Sequence, residues 1–204
     1  MNDIKCILYD LDGVLVDACE IHYDAFNKAL MNVCGFKLSR REHEVDFNGL
    51  PTKTKLNILE EQGRISSELF DSINTVKQNY TWEALSTLTV DPTKVELHEE
   101  TKKLNIKLGC VTNSILLSAQ KMLINTGQHQ FMDILISNED ITHPKPNGEG
   151  YVVAMVHLGV FPNEVLIVED SPKGLEAANS TGAHVLEVSN SSDVIWDKIR
   201  KVIK

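Results

Sequence analysis

The chain has 204 residues, 42% of them hydrophobic, and a formal net charge of −9. That length can bury a real core, as one elaborated domain or two small ones, and no apolar run is long enough to span a bilayer. The acidic balance argues against nucleic acid or an anionic membrane surface as partner. A small anionic ligand stays open, because a cation and a few lysines can invert the sign locally.

Residues 4–9 form an apolar, strand-like run that stops at Tyr9-Asp10-Leu11-Asp12-Gly13. An acidic residue at Asp3 and the break at Asp10 do not fit a secretory signal, so a cytoplasmic location is expected. The four cysteines (Cys6, Cys19, Cys34 and Cys110) form no Cys-x-x-Cys pair and read as buried small hydrophobes in a reducing compartment.

From about 16 to 86 the periodicity is helical, with no convincing strand. Ile21, Ala25, Ala29, Leu30 and Val33 give one apolar face, ended by Gly35. Leu56 and Leu59 before Gly63 give a second, and Leu69, Ile73 and Val76 a third. Asp91-Pro92 reads as a helix start with proline at its first position.

Beyond it, strand-like runs at 106–111, 134–136, 165–168 and 183–188 alternate with helical patterns at 115–125, 150–158 and 174–179. The tail, 192–204, reads as a terminal helix. Such alternation predicts βαβ units and a parallel sheet whose strand carboxyl ends share one edge. The expected organisation is an α/β core over 1–15 and 87–204 with a helical domain inserted over 16–86. An insertion directly after the first strand overhangs that strand's end, where a lid is useful.

Four motifs fall at successive strand ends. Alternation puts Asp10 and Asp12 on the same side, and paired carboxylates repel unless one is protonated or a cation sits between them. That suits one carboxylate attacking phosphorus while its neighbour handles protons. The segment reads equally as a strand ending in a solvated acidic turn.

Thr112-Asn113-Ser114 can cap the next helix or bind phosphate oxygens. Lys145, between Pro144 and Pro146, is a cation on a stiffened backbone or an ordinary loop lysine. Glu169-Asp170-Ser171-Pro172 places hard oxygen ligands at a further strand end. Mg²⁺ prefers octahedral oxygen coordination, which Asp10, a backbone carbonyl near Asp12, and Asp170 can supply, with Glu169 in reserve.

In their order, spacing and position these motifs make the chain resemble the haloacid dehalogenase superfamily over nearly its whole length. Within it, the chain looks like the branch with a helical cap after the first strand, which includes β-phosphoglucomutase and phosphoglycolate-type phosphatases. The resemblance implies an α/β fold, a Rossmann-like parallel-sheet core with an inserted helical cap. It implies Asp10 as the nucleophile that forms an aspartyl-phosphate, and Asp12 as acid and base. Thr112 would hold the phosphoryl group with Asn113 beside it, and Lys145 would neutralise charge. Asp10, Asp12, Glu169 and Asp170 would surround Mg²⁺, or Mn²⁺ with its similar preferences. Asp12 argues against actual dehalogenation, since the family's dehalogenases lack a second aspartate there.

The expected activity is Mg²⁺-dependent hydrolysis of a small phosphorylated metabolite, by a monomer rather than a homodimer. A phosphomutase is the alternative, and His22 matches a cap-hinge histidine of the mutases. However, Thr52 stands where the mutase pattern has arginine, and the adjacent Lys53 does not reproduce a bidentate clamp on phosphate. His22, Asn48 and Lys53, with Trp82, are the candidates for reading the leaving group. Lys53 and Lys55 can bind a second anionic group or simply open a helix as solvated lysines. A non-catalytic phosphometabolite binder on the same fold would need damaged motifs, and these are intact.

Overall fold

The computed structural model describes residues 3–203. The chain divides into two compact units, Met1–Asp17 with Leu88–Lys204, and Ala18–Thr87. In chain order the elements are β1 (Cys6–Tyr9), α1 (Cys19–Cys34), α2 (Arg40–Glu42), α3 (Thr52–Glu61), α4 (Phe70–Leu85), α5 (Pro92–Lys103) and β2 (Lys107–Val111). Then follow α6 (Leu116–Asn125), β3 (Ile134–Ile136), α7 (Glu149–Leu158), β4 (Val165–Glu169), α8 (Pro172–Asn179), β5 (His184–Glu187) and α9 (Trp196–Ile203). Among the described residues no helix is long and apolar enough to cross a membrane.

The α/β unit is built on one five-stranded sheet in the order β3-β2-β1-β4-β5, with every pairing parallel. The central strands of a parallel sheet are covered on both faces, which is why β1 and the first four residues of β4 are continuous apolar runs rather than alternating ones. All four residues of β1 are fully buried. Cys6 and Leu8 pack on one face with Tyr151, Ala154 and Met155 of α7. Tyr9, on the other, meets His98 of α5 edge-on, with ring centroids 5.7 Å apart. Each such side chain stabilises the unit by roughly 1.5–3 kcal/mol. Because β1 is flanked by β2 and β4, the strand order reverses beside it, and open α/β sheets bind ligands at that switch point.

Local signals set the helix starts. The Asp91 carboxylate accepts from the N–H groups of Thr93 (3.0 Å) and Lys94 (3.2 Å), with Pro92 next in line. Ser171 Oγ accepts from Gly174 N–H at 3.1 Å, so α8 begins at Pro172, two residues ahead of the expected start. The tail also differs from expectation. Residues Ser191–Asp193 form a single 3₁₀ turn and the helix runs only from Trp196. Buried Lys94 donates to the carbonyls of Ser191 (2.6 Å) and Val194 (3.1 Å), which fixes the turn before the helix begins. Lys204, the last residue of the predicted tail helix, lies outside the described residues.

The helical unit has its own core, in which Phe26 and Leu30 of α1 pack with Phe47, with Leu56 and Leu59 of α3 and with Ile73 of α4. Between α2 and α3 the chain makes a π-helical turn, His43–Phe47, that periodicity did not foretell. The fold-back after α1 is held by the buried Asn27 amide, which accepts from Leu38 N–H (2.8 Å) and donates to Leu38 C=O (3.2 Å).

Candidate active site

The site grows from the carboxyl ends of β1, β2 and β4. Asp10 leaves β1 nearly buried, and Lys145 Nζ donates to its Oδ1 at 2.5 Å and to Glu169 Oε1 at 2.6 Å. Glu169, the last residue of β4, is fully buried. Its Oε1 also accepts from the Tyr151 hydroxyl (2.8 Å), and its Oε2 from the N–H groups of Asp170 (3.0 Å) and Ser171 (3.3 Å). A carboxylate at the start of α8 is favourably placed against the helix dipole.

Two glycines let these groups meet. At Gly13, where φ is +92°, a Cβ would stand 2.1 Å from Asp170 Oδ2. At Gly174 a Cβ would stand 1.9 Å from Glu169 Oε1. Gly174→Ala must therefore push the Glu169 carboxylate aside and loosen Lys145 with it. Turnover should fall about 100-fold and the urea midpoint should report a loss of roughly 1–3 kcal/mol. A variant matching the parent in both would show that Glu169 does not organise the site.

The residues of the second motif do not cap α6. Its first-turn N–H at Leu116 is taken by Glu139 Oε2 at 2.7 Å, and Ile115 in the cap position makes no side-chain bond. Thr112 Oγ1 accepts from Ser114 N–H (3.0 Å), and Ser114 Oγ donates to Asp12 Oδ2 (2.9 Å). The Asn113 amide spans the backbone of Lys145, accepting from its N–H (3.0 Å) and donating to its C=O (3.2 Å). Asn113 thus fixes the loop that carries the site's ammonium group.

Four carboxyl groups (Asp10, Asp12, Glu169 and Asp170) and one ammonium share this edge of the sheet. Burial pushes Asp10 well up, with Glu169 and Asp12 adding to it and Lys145 opposing. Burial acts against the charged form of Glu169 too, but Lys145, Tyr151 and the Ser171 N–H overcome it and hold that carboxyl below its usual range. Burial disfavours the Lys145 ammonium, yet the neighbouring Asp10, Tyr151 and Glu169 raise it well above an ordinary lysine. Burial, then the Glu169 charge, pushes Asp170 up to about 7.

Ligand atoms of Asp10, Glu169 and Asp170 lie within 4.8 Å of one another. Asp170 Oδ1 is buried with no hydrogen-bond partner. A buried carboxylate oxygen without a donor, in a cluster with excess negative charge, fits a hard divalent cation. The cluster can hold a metal.

The cap-side candidates all belong to the helical unit. His22 lies half-buried on α1, Asn48 is exposed just after the π-helical turn, and Lys53 is exposed in the first turn of α3. Lys55, by contrast, is buried, its Nζ 3.5 Å from His43 Nε2 and 5.5 Å from the Phe26 ring centre. It does not open α3 as a solvated lysine. Trp82 is half-buried on α4.

An acidic strand end braced by a buried lysine, on a sheet of this order, suits phosphate-handling chemistry in an α/β protein. A model of the haloacid dehalogenase-like hydrolases matches residues 7–188, and the chain belongs to that family. It is 28% identical over 187 residues to the pyrophosphatase PpaX of Bacillus velezensis, covering 91% of this chain and 83% of that one. It is 26% identical over 179 residues to a phosphorylated carbohydrates phosphatase of Thermotoga maritima, covering 88% and 82%. Its fold matches β-phosphoglucomutase of Clostridium difficile with a TM-score of 0.84 at 23% identity, covering 97% and 96% of the two chains. The chain is a phosphatase of this family.

Proposed function

We propose that this protein hydrolyses a small phosphate monoester, a sugar phosphate or similar metabolite, through an aspartyl-phosphate on Asp10. The observation that carries the reading is the buried Lys145 ammonium, held between Asp10 and Glu169 at the end of the central strand. The Thermotoga maritima relative, named for phosphorylated carbohydrates, supports the substrate class.

Asp10 Oδ attacks phosphorus in line as the bond to the leaving oxygen breaks, and Asp12 gives that oxygen its proton. Asp12 then takes a proton from the water that attacks the acyl phosphate, which releases inorganic phosphate and restores Asp10. Ser114, donating to Asp12 Oδ2, fixes the carboxyl that moves both protons. Lys145 and Thr112 stabilise charge on the transferring group, and Asn113 keeps Lys145 in place. Asp10 and Asp170, with a backbone carbonyl near Asp12, would hold Mg²⁺. Glu169, already accepting from Lys145, Tyr151 and the start of α8, acts as their anchor. When bound, the ion supplies neutralisation of the phosphoryl oxygens. Free cysteines at positions 6, 19, 34 and 110 suit a reducing, cytosolic setting.

The test is phosphate release from a panel of sugar phosphates, phosphoglycolate and pyrophosphate, with Mg²⁺ and again with chelator. Chelator-sensitive release from the monoesters is expected. Conversion of β-glucose 1-phosphate to glucose 6-phosphate with little free phosphate would replace hydrolysis by mutase chemistry. No turnover of any substrate would remove the catalytic reading.

A further inference from the structure

Behind the Asp10 strand end lies a set of buried polar groups that the reaction does not use. In the turn after Asp10, Leu11 C=O accepts from the N–H groups of Leu15 (3.0 Å) and Val16 (2.9 Å), and Gly13 N–H donates to Val16 C=O (2.8 Å). Residues 11–16 therefore close into one small loop that carries Asp12. The carbonyl of Leu15 accepts from Gln128 Nε2 at 3.0 Å. Gln128 is fully buried in the connection after α6, and its Nε2 also donates to Thr126 Oγ1 at 2.9 Å.

Elementary donor and acceptor rules fix the rest. A carbonyl only accepts, so the NH₂ end of Gln128 must face Leu15 and its Oε1 must face His98 Nε2, 2.9 Å away on α5. His98 therefore donates from Nε2, and its Nδ1 is left buried with no hydrogen-bond partner. Apolar side chains of similar volume would fill this space at lower desolvation cost. Instead both ends of the buried amide are used, one on the Asp12 loop and one on α5.

We propose that Gln128, oriented by His98, is a positioning residue that holds the Leu11–Val16 loop, and with it Asp12, at the reaction centre. The inference rests on the role given to Asp12 above. The network is suited to neutral pH. Burial is the main cause that holds His98 down at about 4; the Gln128 bond opposes it, Lys94 and Lys102 reinforce it, and Asp91 opposes it weakly. The other groups against His98 are the Tyr9 and Phe131 rings.

Hydrogen exchange of the full-length protein tests this together with steady-state hydrolysis of p-nitrophenyl phosphate in Mg²⁺. In Gln128→Met the Leu15 and Val16 amides should exchange about tenfold faster while those of α8 keep the parental rate. kcat should fall about tenfold with KM unchanged, as expected for a misplaced base in the attack of water on the acyl phosphate. His98→Gln, whose amide can still donate to Gln128 Oε1, should recover most of both properties relative to His98→Ala. If Gln128→Met does not fold, Gln128→Glu serves, since it keeps the acceptor for His98 but cannot donate to Leu15. Parental exchange and parental kcat in a folded Gln128 variant would overturn the proposal. A parent protein that turns over neither p-nitrophenyl phosphate nor any substrate of the panel above would remove the role of Asp12, whereas exchange at Leu15 and Val16 would still decide the part played by Gln128.

Discussion

Asp10→Asn is expected to lower phosphate release by about 10⁴-fold or more while the protein stays folded. The amide cannot displace an alcohol from phosphorus, so no covalent intermediate forms. Its oxygen can still accept from Lys145, and Glu169 remains as the ionic partner of that lysine at 2.6 Å, so no buried charge is stranded. The substitution also removes an acid whose ionised form is disfavoured by burial and by its neighbours Glu169 and Asp12. Because the folded state raises the pKa of Asp10, its ionisation costs stability once the pH passes the unfolded value of 3.8. Urea unfolding at pH 7 should therefore give a variant no less stable than the parent, by up to about 1 kcal/mol in its favour. Turnover near the parental rate in a folded Asp10→Asn protein would take the nucleophile's role from Asp10.

The parts of this molecule that were legible in the sequence are those whose cause is local or periodic. Strands buried on both faces are apolar, so β1 and the first four residues of β4 announce themselves, and the acids that follow mark the sheet's edge. Asp91-Pro92 announces a helix because a cap acts within three residues. Glu169 was less legible as a strand residue, since its fully buried carboxylate is tolerated only through Lys145, 24 residues away in sequence, and Tyr151. The same holds for Asn113, whose amide reads locally as a cap but bonds the backbone of Lys145, 32 residues on. Tyr151 sits among apolar residues of α7 and reads as core, which its ring is, while its hydroxyl serves the site. Gln128 reaches back 113 residues to Leu15 and leaves no local pattern at all. Polar contacts between distant segments are set by the finished fold, and periodicity does not encode them.

Lys145→Met should be the most destabilising single change at the site, because it strands two acids rather than removing one. Asp10 and Glu169 both lose their ammonium partner in a place where each is almost fully out of water. Breaking a buried pair by deleting one member typically costs about 3–5 kcal/mol, and methionine fills the lysine stem without replacing its charge. The pH dependence separates this cause from a packing defect. In the parent, Glu169 is held below its unfolded value, so its contribution is present above pH 4.5 and is lost as the pH falls through the lowered value. Lys145 is raised, so its own contribution is fully present below 10.5 and neutral pH lies on the plateau. Without the lysine, burial dominates both acids: Glu169 rises above its unfolded value, and Asp10, already raised in the parent, rises further. Their contribution is then present at low pH and is lost as the pH rises. The difference in unfolding free energy between parent and variant should consequently be largest near pH 7 and shrink as the pH falls toward 4, as followed by urea titration in the presence of chelator. A gap that stays constant across that range would assign the loss to packing of the stem rather than to the stranded carboxylates. The same substitution should abolish phosphate release at every pH, since the charge that steadies the transferring phosphoryl group is absent whether or not the fold recovers.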